Sequence, residues 1–254
     1  MDSDNPLAHN HPAPQPWTRH AAIVLGASGS VGQALLDELL RCPSFSELIV
    51  LVRRPTELAA AAGPRLVERL VPDMQPAQLE QAVVDALAGR EPGAVGFSVL
   101  GVGAGTARLS LAEHRAVDVE LNAAFARGLA RSTPMRHLVF MSAIGADPQA
   151  STSGSGAAGM PRYARVKGEA EEAVRRLGPQ VVSILRPSVI IGSRHTPGPL
   201  AQAMSLLSPL LPARYRPIRA TDIARAMVAL ACRTPAGSGI YGYAEMRALA
   251  AGSA

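Results

Sequence analysis

The stretch AAIVLGASGSVGQALL, from Ala21 to Leu36, leaves few folds open to this chain. Residues 21–25 are mostly apolar and predict a buried strand, and the apolar spacing from residue 31 onward predicts a helix. Gly26, Gly29 and Gly32 lie in and just after the turn, where glycine permits positive φ and places no side chain against a bound phosphate. The free N–H groups that open a helix also favour an anion. A glycine turn can be purely structural, but its place near the N-terminus favours a first βα unit that binds a dinucleotide.

The rest of the chain alternates strands and helices in the manner of a parallel sheet. Apolar runs predict strands over 48–52, 65–71, 94–100, 137–141 and 181–186, with a short last one over 240–243. Helical spacing predicts helices over 31–41, 77–88, 111–131, 163–177 and 221–232. We therefore predict an α/β fold class: a doubly wound, mostly parallel sheet with helices on both faces and a small C-terminal appendage on the substrate side.

Length and composition suit one domain, since the 254 residues are 48% hydrophobic. Residues 1–20 have no apolar core segment and are predicted to form a disordered tail, not a signal peptide. Residues 21–254 are expected to form a single NAD(P)-binding domain, with a small substrate-binding part from about residue 193. No stretch approaches the ~20 apolar residues of a membrane span. Cys42 and Cys232 fit no metal spacing and favour a reduced, cytoplasmic setting, so no metal site is predicted.

The formal charge of +5 comes from scattered arginines, not from one basic run with interleaved aromatic residues. Nucleic-acid binding is therefore not expected, whereas a modest positive field suits an anionic cofactor. A small molecule is the expected partner, and the long helices are compatible with a homodimer.

Candidate ligand-binding and catalytic residues follow the predicted strands, one after each strand. They are Gly26, Arg53, Asp73, Gly101, Ser142 and Pro187. Because ligands of such sheets bind beyond the carboxyl ends of the strands, this clustering predicts a cofactor cleft at one edge of the sheet.

Arg53 and Arg54 follow the second strand, where an NAD-preferring site usually has a carboxylate for the ribose hydroxyls. Guanidinium groups instead suit a 2′-phosphate through bidentate, charge-assisted hydrogen bonds, so NADP(H) is the predicted cofactor. The alternative is a pair of solvated arginines. Asp73 either accepts a hydrogen bond from the adenine amine or is a helix cap or turn residue.

Tyr163 and Lys167 are four residues apart in a predicted helix, so their side chains share one face. Lys167 is the only lysine in the chain. A nearby ammonium favours phenolate, which predicts a tyrosine that can exchange a proton with a carbonyl or alcohol oxygen. Ser142 is predicted to hold that oxygen, and Lys167 to reach the nicotinamide ribose as well. The alternative is an exposed helix pair without catalytic function.

In combination, GASGSVG, the Ser142, Tyr163 and Lys167 set, and LRPSVIIG (185–192) resemble the short-chain dehydrogenase/reductase superfamily. LVRRP, VLGVG, MSAIGAD and YARVKGEAE are most similar to the atypical branch that contains the Tat-interacting-protein-like reductases. The resemblance extends over about 21–223 and implies a Rossmann fold, an NADP-type cofactor, and Pro187, Ser188 and Val189 against the nicotinamide. The predicted cofactor-binding residues are Gly26, Ala27, Ser28, Gly29, Ser30, Val31, Gly32, Arg53, Arg54, Asp73, Leu100, Gly101, Val102, Gly103, Lys167, Pro187, Ser188 and Val189.

These features predict an NADPH-dependent oxidoreductase for a small carbonyl or alcohol substrate, with Tyr163 as general acid–base. Two alternatives are a non-catalytic NADPH-binding regulator or assembly factor, and an NADP-dependent isomerase or epimerase. His137 is expected to be structural, His114 and His195 to lie at the surface, and Asp118 and Asn122 to be solvated or to have a packing role.

Overall fold

The computed structural model describes residues 20–58, 62–132, 137–191, 212–233 and 235–252. Its main sheet has seven parallel strands in the order β3-β2-β1-β4-β5-β6-β9. They are β1 (His20–Leu25), β2 (Phe45–Val52), β3 (Leu66–Leu70), β4 (Val95–Ser98), β5 (His137–Met141), β6 (Val181–Leu185) and β9 (Gly239–Tyr241). A separate parallel pair joins β7 (Ile190–Ile191) to β8 (Ile218–Arg219). Since the strand order reverses between β1 and β4, a crevice opens at their carboxyl ends.

Two layers of helices cover the sheet. The helices are α1 (Ser30–Arg41), α2 (Pro76–Leu87), α3 (Leu111–Arg115), α4 (Asn122–Arg131), α5 (Pro161–Leu177), α6 (Ala220–Arg233) and α7 (Tyr243–Ala251). Alternation along β1 explains the layers, because Ala22 and Val24 pack with α1 and α6, while Ile23 and Leu25 pack with α2, α4 and α5. The predicted doubly wound α/β fold is confirmed.

Local differences from the predictions lie in the C-terminal part and in one long helix. Helix α7 and the β7–β8 pair were not predicted, and the strand expected over 240–243 ends at Tyr241. The helix expected over 111–131 is interrupted by a π-helical segment, Ala116–Leu121, between α3 and α4. A π turn contains an extra residue and rotates the side chains within it, which changes the residues that face the sheet.

Several predictions fall wholly or mostly outside the described residues. They concern the N-terminal tail, His195 and the start of the substrate-binding part expected from about residue 193, so the proposed domain limits stay predictions. No helix in the described part of the chain is both long and apolar enough to cross a bilayer. Among the described residues, no three His, Cys, Asp or Glu side chains are grouped as metal ligands would be.

Helix packing brings the two cysteines together although 190 positions separate them in the sequence. The Sγ atoms of Cys42, at the end of α1, and Cys232, near the end of α6, are 3.5 Å apart. Both are free thiols, and burial raises the pKa of the Cys232 thiol to about 11. An ion pair between Glu38 and Arg225 (3.3 Å) also joins the two helices, so this proximity reflects a defined helix interface.

Candidate active site

The glycine turn after β1 contains two glycines that packing requires and one that it does not. Gly26 has φ +91°, and a Cβ there would lie 2.7 Å from the backbone nitrogen of Leu100. A Cβ on Gly32 would lie 2.3 Å from the carbonyl oxygen of Gly26. Gly29, the N-cap of α1, has φ −74°, and its Cβ would meet nothing closer than 3.5 Å. Since no protein atom demands glycine at position 29, the open space beside it suits a ligand at the helix N-terminus.

A cavity of about 940 Å³ extends from this turn along the carboxyl ends of β1 to β4. Its volume is at the upper end of the range for small-molecule sites. Of the predicted cofactor residues it brings together Gly26, Ala27, Ser28, Gly29, Arg53, Arg54, Asp73, Leu100, Gly101 and Val102. The others do not line this cavity: Ser30, Val31, Gly32, Gly103, Lys167, Pro187, Ser188 and Val189. Part of the sheet edge inferred from the sequence, at the ends of β1 to β4, therefore borders one cavity, and the predicted catalytic residues Ser142 and Tyr163 are not among the residues that line it.

The guanidinium groups of Arg53 and Arg54 are exposed at the end of β2, and both residues line the cavity. Within the described chain, neither arginine takes part in an ion pair. Glu68 on β3 accepts hydrogen bonds from the backbone N–H (3.0 Å) and the hydroxyl of Thr56, which fixes the loop that contains the arginines. Positive charge is therefore available to an anionic ligand at this end of the cavity.

Asp73 is exposed after β3 and lines the same cavity. It is not the cap of the following helix, because Gln75 occupies the N-cap of α2. Of the alternatives that the sequence left open, a ligand contact and a turn role both stay compatible with this position.

Helix α5 presents Tyr163 and Lys167 one turn apart, as their spacing predicts. The Lys167 ammonium nitrogen is 5.7 Å from the centre of the Tyr163 ring, and only 7% of the lysine side chain is exposed. Glu171, one turn further, accepts two hydrogen bonds from Arg186 (2.8 and 2.6 Å), which ties α5 to the end of β6. Gly168 packs tightly on the loop before the helix, since a Cβ there would be 2.2 Å from the nitrogen of Pro148. These contacts fix α5, and with it the tyrosine and the lysine.

Lys167 is not a lone cation, because Asp118 in the π-helical segment faces it. The Lys167 Nζ to Asp118 Oδ2 distance is 2.8 Å, and the Asp118 side chain is almost fully buried. Asp118 Oδ1 accepts a hydrogen bond from the backbone N–H of Val102 (3.0 Å). The imidazole of His114 is also buried, with Nε2 3.5 Å from Asp118 Oδ2 and its ring centre 5.9 Å from that of Tyr163.

The protonation of this cluster follows from burial and charge together. Burial raises the pKa of the Asp118 carboxyl, but Lys167 and His114 outweigh it and bring that pKa down to about 2. Burial likewise lowers the pKa of Lys167, but the charges and hydrogen bond of its neighbours, Asp118 first, hold it above the ordinary value. Asp118 and Lys167 therefore form a charged pair at neutral pH.

The prediction that His114 lies at the surface is wrong, and Asp118 is not solvated but buried against Lys167. His114, in α3, packs against Tyr163 of α5, and Asp118, in the π-helical segment, pairs with Lys167 of the same helix. The signal available in the sequence was the position of Asp118 relative to Leu121 and Phe125, which share its helix face and are buried. Asn122 is buried too, and its side-chain amide donates to the carbonyl of Asp118 (2.9 Å).

Ser142 follows β5 and is 3% exposed. Its backbone N–H donates to the carbonyl of Leu185 (2.8 Å), but within the described chain its hydroxyl oxygen has no hydrogen-bond partner. A buried hydroxyl without a partner is costly unless a ligand or water bonds to it, so this group fits a substrate contact. Pro187 lies beside it in the fold, since its carbonyl accepts from the N–H of Ile144 (2.8 Å).

The segment after β6 continues from Pro187 through Ser188 and Val189 to β7. The Ser188 hydroxyl donates to the carbonyl of Arg216, and the Val189 carbonyl accepts from the N–H of Ile218 (3.0 Å). The Val189 side chain is largely exposed. The segment is therefore fixed by its backbone while at least one of its side chains stays available.

Fold and site together define an NAD(P)-binding Rossmann protein. Residues 26–233 match the protein family described as NAD(P)H-binding, and the chain belongs to that family. Among curated proteins it is similar to "Protein FMP52, mitochondrial" of Eremothecium gossypii, with 32% identity over 178 residues, or 69% of this chain and 68% of that protein. It is also similar to "Protein fmp52, mitochondrial" of Aspergillus fumigatus, with 29% identity over 194 residues and 73% of each chain.

Solved structures of low sequence identity show the same fold. A short-chain dehydrogenase/reductase from Serratia marcescens has a TM-score of 0.64 at 20% identity, covering 90% of this chain and 99% of its own. Yeast methylglyoxal/isovaleraldehyde reductase Gre2, complexed with NADPH, has a TM-score of 0.62 at 14% identity, covering 87% and 78%. UDP-glucose 4-epimerase from Thermotoga maritima has a TM-score of 0.60 at 14% identity, covering 87% and 76%. The predicted resemblance to an NAD(P)-binding branch with the Rossmann fold is confirmed by the family match, and these solved structures, a short-chain dehydrogenase/reductase and an epimerase among them, share that fold.

The predicted cytoplasmic location is wrong in the light of these relatives, which are named as mitochondrial proteins. The prediction depended on two free cysteines and the lack of an apparent signal peptide. Free thiols report a reducing environment, and more than one compartment provides it.

Proposed function

We propose that this protein is an NADPH-dependent oxidoreductase that acts on a small carbonyl or alcohol substrate, with Tyr163 as general acid–base. The observation that carries the proposal is the charged, buried Lys167 one helical turn from Tyr163, next to the cavity that begins at the glycine turn. Gly101 connects the two regions, because it lines the cavity and a Cβ there would lie 3.1 Å from Lys167 Nζ. The lysine is thus close to the cavity although it does not line it.

The residues present fit a dinucleotide cofactor of the NADP type. Gly29 leaves open space at the N-terminus of α1 for a pyrophosphate, and the exposed Arg53 and Arg54 suit a 2′-phosphate. A carboxylate directly after β2 would repel that phosphate, and the two residues in that position are arginines. These features support NADPH over NADH.

Tyr163, Ser142 and Lys167 each have one task in the proposed reaction. The Tyr163 hydroxyl gives a proton to the substrate oxygen as a carbonyl becomes an alcohol, and takes it back in the reverse direction. The Ser142 hydroxyl donates a hydrogen bond to the same oxygen. The ammonium of Lys167 has three N–H donors, of which one meets Asp118, so others are available to ribose hydroxyls. When bound, the nicotinamide supplies or accepts the hydride.

A small substrate has a precedent on this fold in Gre2, the methylglyoxal/isovaleraldehyde reductase. The test is a panel of aldehydes and ketones incubated with the purified protein and NADPH or NADH, followed through the absorbance of the reduced nicotinamide. We expect oxidation of NADPH with at least one small carbonyl compound.

Two other outcomes would replace the proposal. Tight NADPH binding with no turnover across the panel would favour a nucleotide-binding regulator. Product formation without net oxidation of the cofactor would favour an isomerase or epimerase, in which the hydride returns within one turnover.

A further inference from the structure

Lys167 is a buried cation, and a buried cation must be compensated if it is to stay charged. Moving an ammonium out of water favours its neutral amine, and the shift reaches several pH units in an apolar setting. In this site the compensation comes from Asp118, whose carboxylate oxygen is 2.8 Å from the ammonium nitrogen. The Asp118 side chain is 1% exposed, so solvent screens the pair weakly.

The same carboxylate also fixes the position of the lysine relative to the cleft. Its other oxygen accepts the backbone N–H of Val102, which lies in the loop after β4 and lines the cavity. Gly101 is in the same loop, and a Cβ added to it would lie 3.1 Å from Lys167 Nζ and 3.4 Å from Asp118 Oδ2. Asp118 therefore joins the π-helical segment, the loop after β4 and helix α5 at one point.

The backbone of Asp118 is held in place by Asn122. The side chain of Asn122 donates to the backbone carbonyl of Asp118 (2.9 Å) and accepts from the hydroxyl of Ser98 at the end of β4. Asp118 also lies within a π-helical segment, and such segments are frequent at functional sites.

We propose that Asp118 is a positioning residue for Lys167: its carboxylate keeps the lysine amine charged and holds it against the loop that borders the cofactor cleft. The assignment rests on the proposed function for its catalytic meaning. Three other titratable groups face the pair, namely His114 from α3 and Tyr163 and Glu171 from α5. Glu171 is already bound to Arg186, so Asp118 is the only carboxylate among them in contact with the ammonium.

The sequence offers an unusually clean measurement, because Lys167 is the only lysine. Protein produced with lysine labelled with ¹³C at Cε and ¹⁵N at Nζ gives one side-chain signal that reports the protonation of Lys167 alone. We compare the full-length wild type with Asp118→Asn, which keeps the shape of the side chain and removes its charge. Asp222→Asn is the matched control, because it removes the carboxylate of another ion pair, with Arg247 (2.6 Å), far along the chain.

In the wild type and in Asp222→Asn we expect the lysine to stay protonated beyond the ordinary range of a lysine side chain. In Asp118→Asn the titration midpoint should fall by roughly one to three pH units, because burial then acts without compensation. An unchanged midpoint in a folded Asp118→Asn protein would overturn the proposal. Folding is checked by near-ultraviolet circular dichroism, and a loss of stability alone does not move the lysine midpoint.

The wild type decides the question even if Asp118→Asn does not fold. Ammonium protons that are buried and hydrogen-bonded to a carboxylate exchange slowly with water, so their signal should be visible at neutral pH and room temperature. Exchange as fast as that of free lysine would contradict the proposal.

Neither measurement needs a substrate, so the outcome is separate from that of the proposed function. A wild type that shows the expected lysine titration and no turnover would count against the oxidoreductase and not against the role of Asp118. For the link to the cleft, we expect Asp118→Asn to weaken NADPH binding about tenfold, as for the loss of one charge-assisted contact. Binding equal to that of Asp222→Asn would remove this link.

Discussion

Positive charge is held in opposite ways at the two ends of the candidate site, one in the cavity at the end of β2 and the other beside the cavity at α5. At the end of β2, Arg53 and Arg54 are exposed and, in the described chain, take part in no ion pair. At α5, Lys167 is buried and paired with Asp118 at 2.8 Å. Water can solvate the arginines until an anion replaces it, whereas the lysine needs a permanent counter-charge. The first end is therefore suited to recognise the charge of a ligand, and the second keeps a charge arrangement that does not depend on one.

The largest effect is expected from Tyr163→Phe, which removes the hydroxyl and leaves the ring against His114. Loss of a positioned acid–base group should lower kcat by about 10²–10⁴-fold. NADPH binding, measured by fluorescence titration, should stay nearly unchanged because the exposed arginines and the glycine turn are intact. Undiminished turnover in this variant would show that Tyr163 is not the general acid–base of the reaction.

The next effect concerns the other end of the cleft. Replacing Arg53 and Arg54 with alanine should raise the Kd for NADPH by roughly 10- to 100-fold, because hydrogen bonds between ions contribute about 1.5–3 kcal/mol. The Kd for NADH should change little. Arg175 and Arg176, an exposed adjacent pair at the end of α5, form the matched control for loss of net charge. Equal weakening by both double variants would mean that the arginines act only through the general field.

The claim that a buried basic side chain needs a counter-charge to stay protonated can be tested at His137, which has none among the described residues. His137 on β5 is almost fully buried, its Nε2 is 2.9 Å from the Ser183 hydroxyl, and burial lowers its pKa to about 4. Since the unfolded state binds the proton more readily, stability is complete above about pH 7 and falls as pH drops toward 4. The loss between pH 7 and pH 5 should be roughly 2 kcal/mol, measured by chemical denaturation.

The control for this prediction is His137→Gln, which keeps a hydrogen bond to Ser183 within reach and cannot titrate. Its stability should depend less on pH over the same window. An identical pH dependence in both proteins would place the acid sensitivity elsewhere.

The smallest effect is expected from substitutions in the glycine turn, which distinguish a glycine needed for ligand binding from one needed for packing. Gly29→Ala should leave the melting temperature unchanged or slightly higher, because its φ of −74° suits alanine. NADPH binding should weaken by about 1 kcal/mol or more as the Cβ approaches the phosphate position. Gly26→Ala, at φ +91° and against Leu100, should instead destabilise the fold. Normal NADPH binding by Gly29→Ala would contradict the assigned anion position.

Predictions from the sequence succeeded where the determining pattern is local. Gly26, Arg53, Asp73 and Gly101 follow strands with short, continuous apolar runs, and all four line one cavity because the strands are parallel. Ser142 and Pro187, predicted at the same cleft, do not line that cavity. Tyr163 and Lys167 were placed together by helical spacing alone.

The predictions failed where the outcome depends on contacts between distant segments. His114, expected at the surface, and Asp118, expected to be solvated or to have a packing role, instead form a buried group with Tyr163 and Lys167 of α5. Cys42 and Cys232 were treated separately, and only the packing of α1 on α6 brings their sulfur atoms to 3.5 Å.

The sequence alone was enough to predict the Rossmann class, the glycine turn after the first strand and the pairing of a phenol with the single lysine, because each depends on patterns that are local in the chain. The counter-charge of that lysine was settled only by the folded chain. A carboxylate on one helix becomes the partner of an ammonium on another when both are buried at the same point, and no spacing along the chain records that distance.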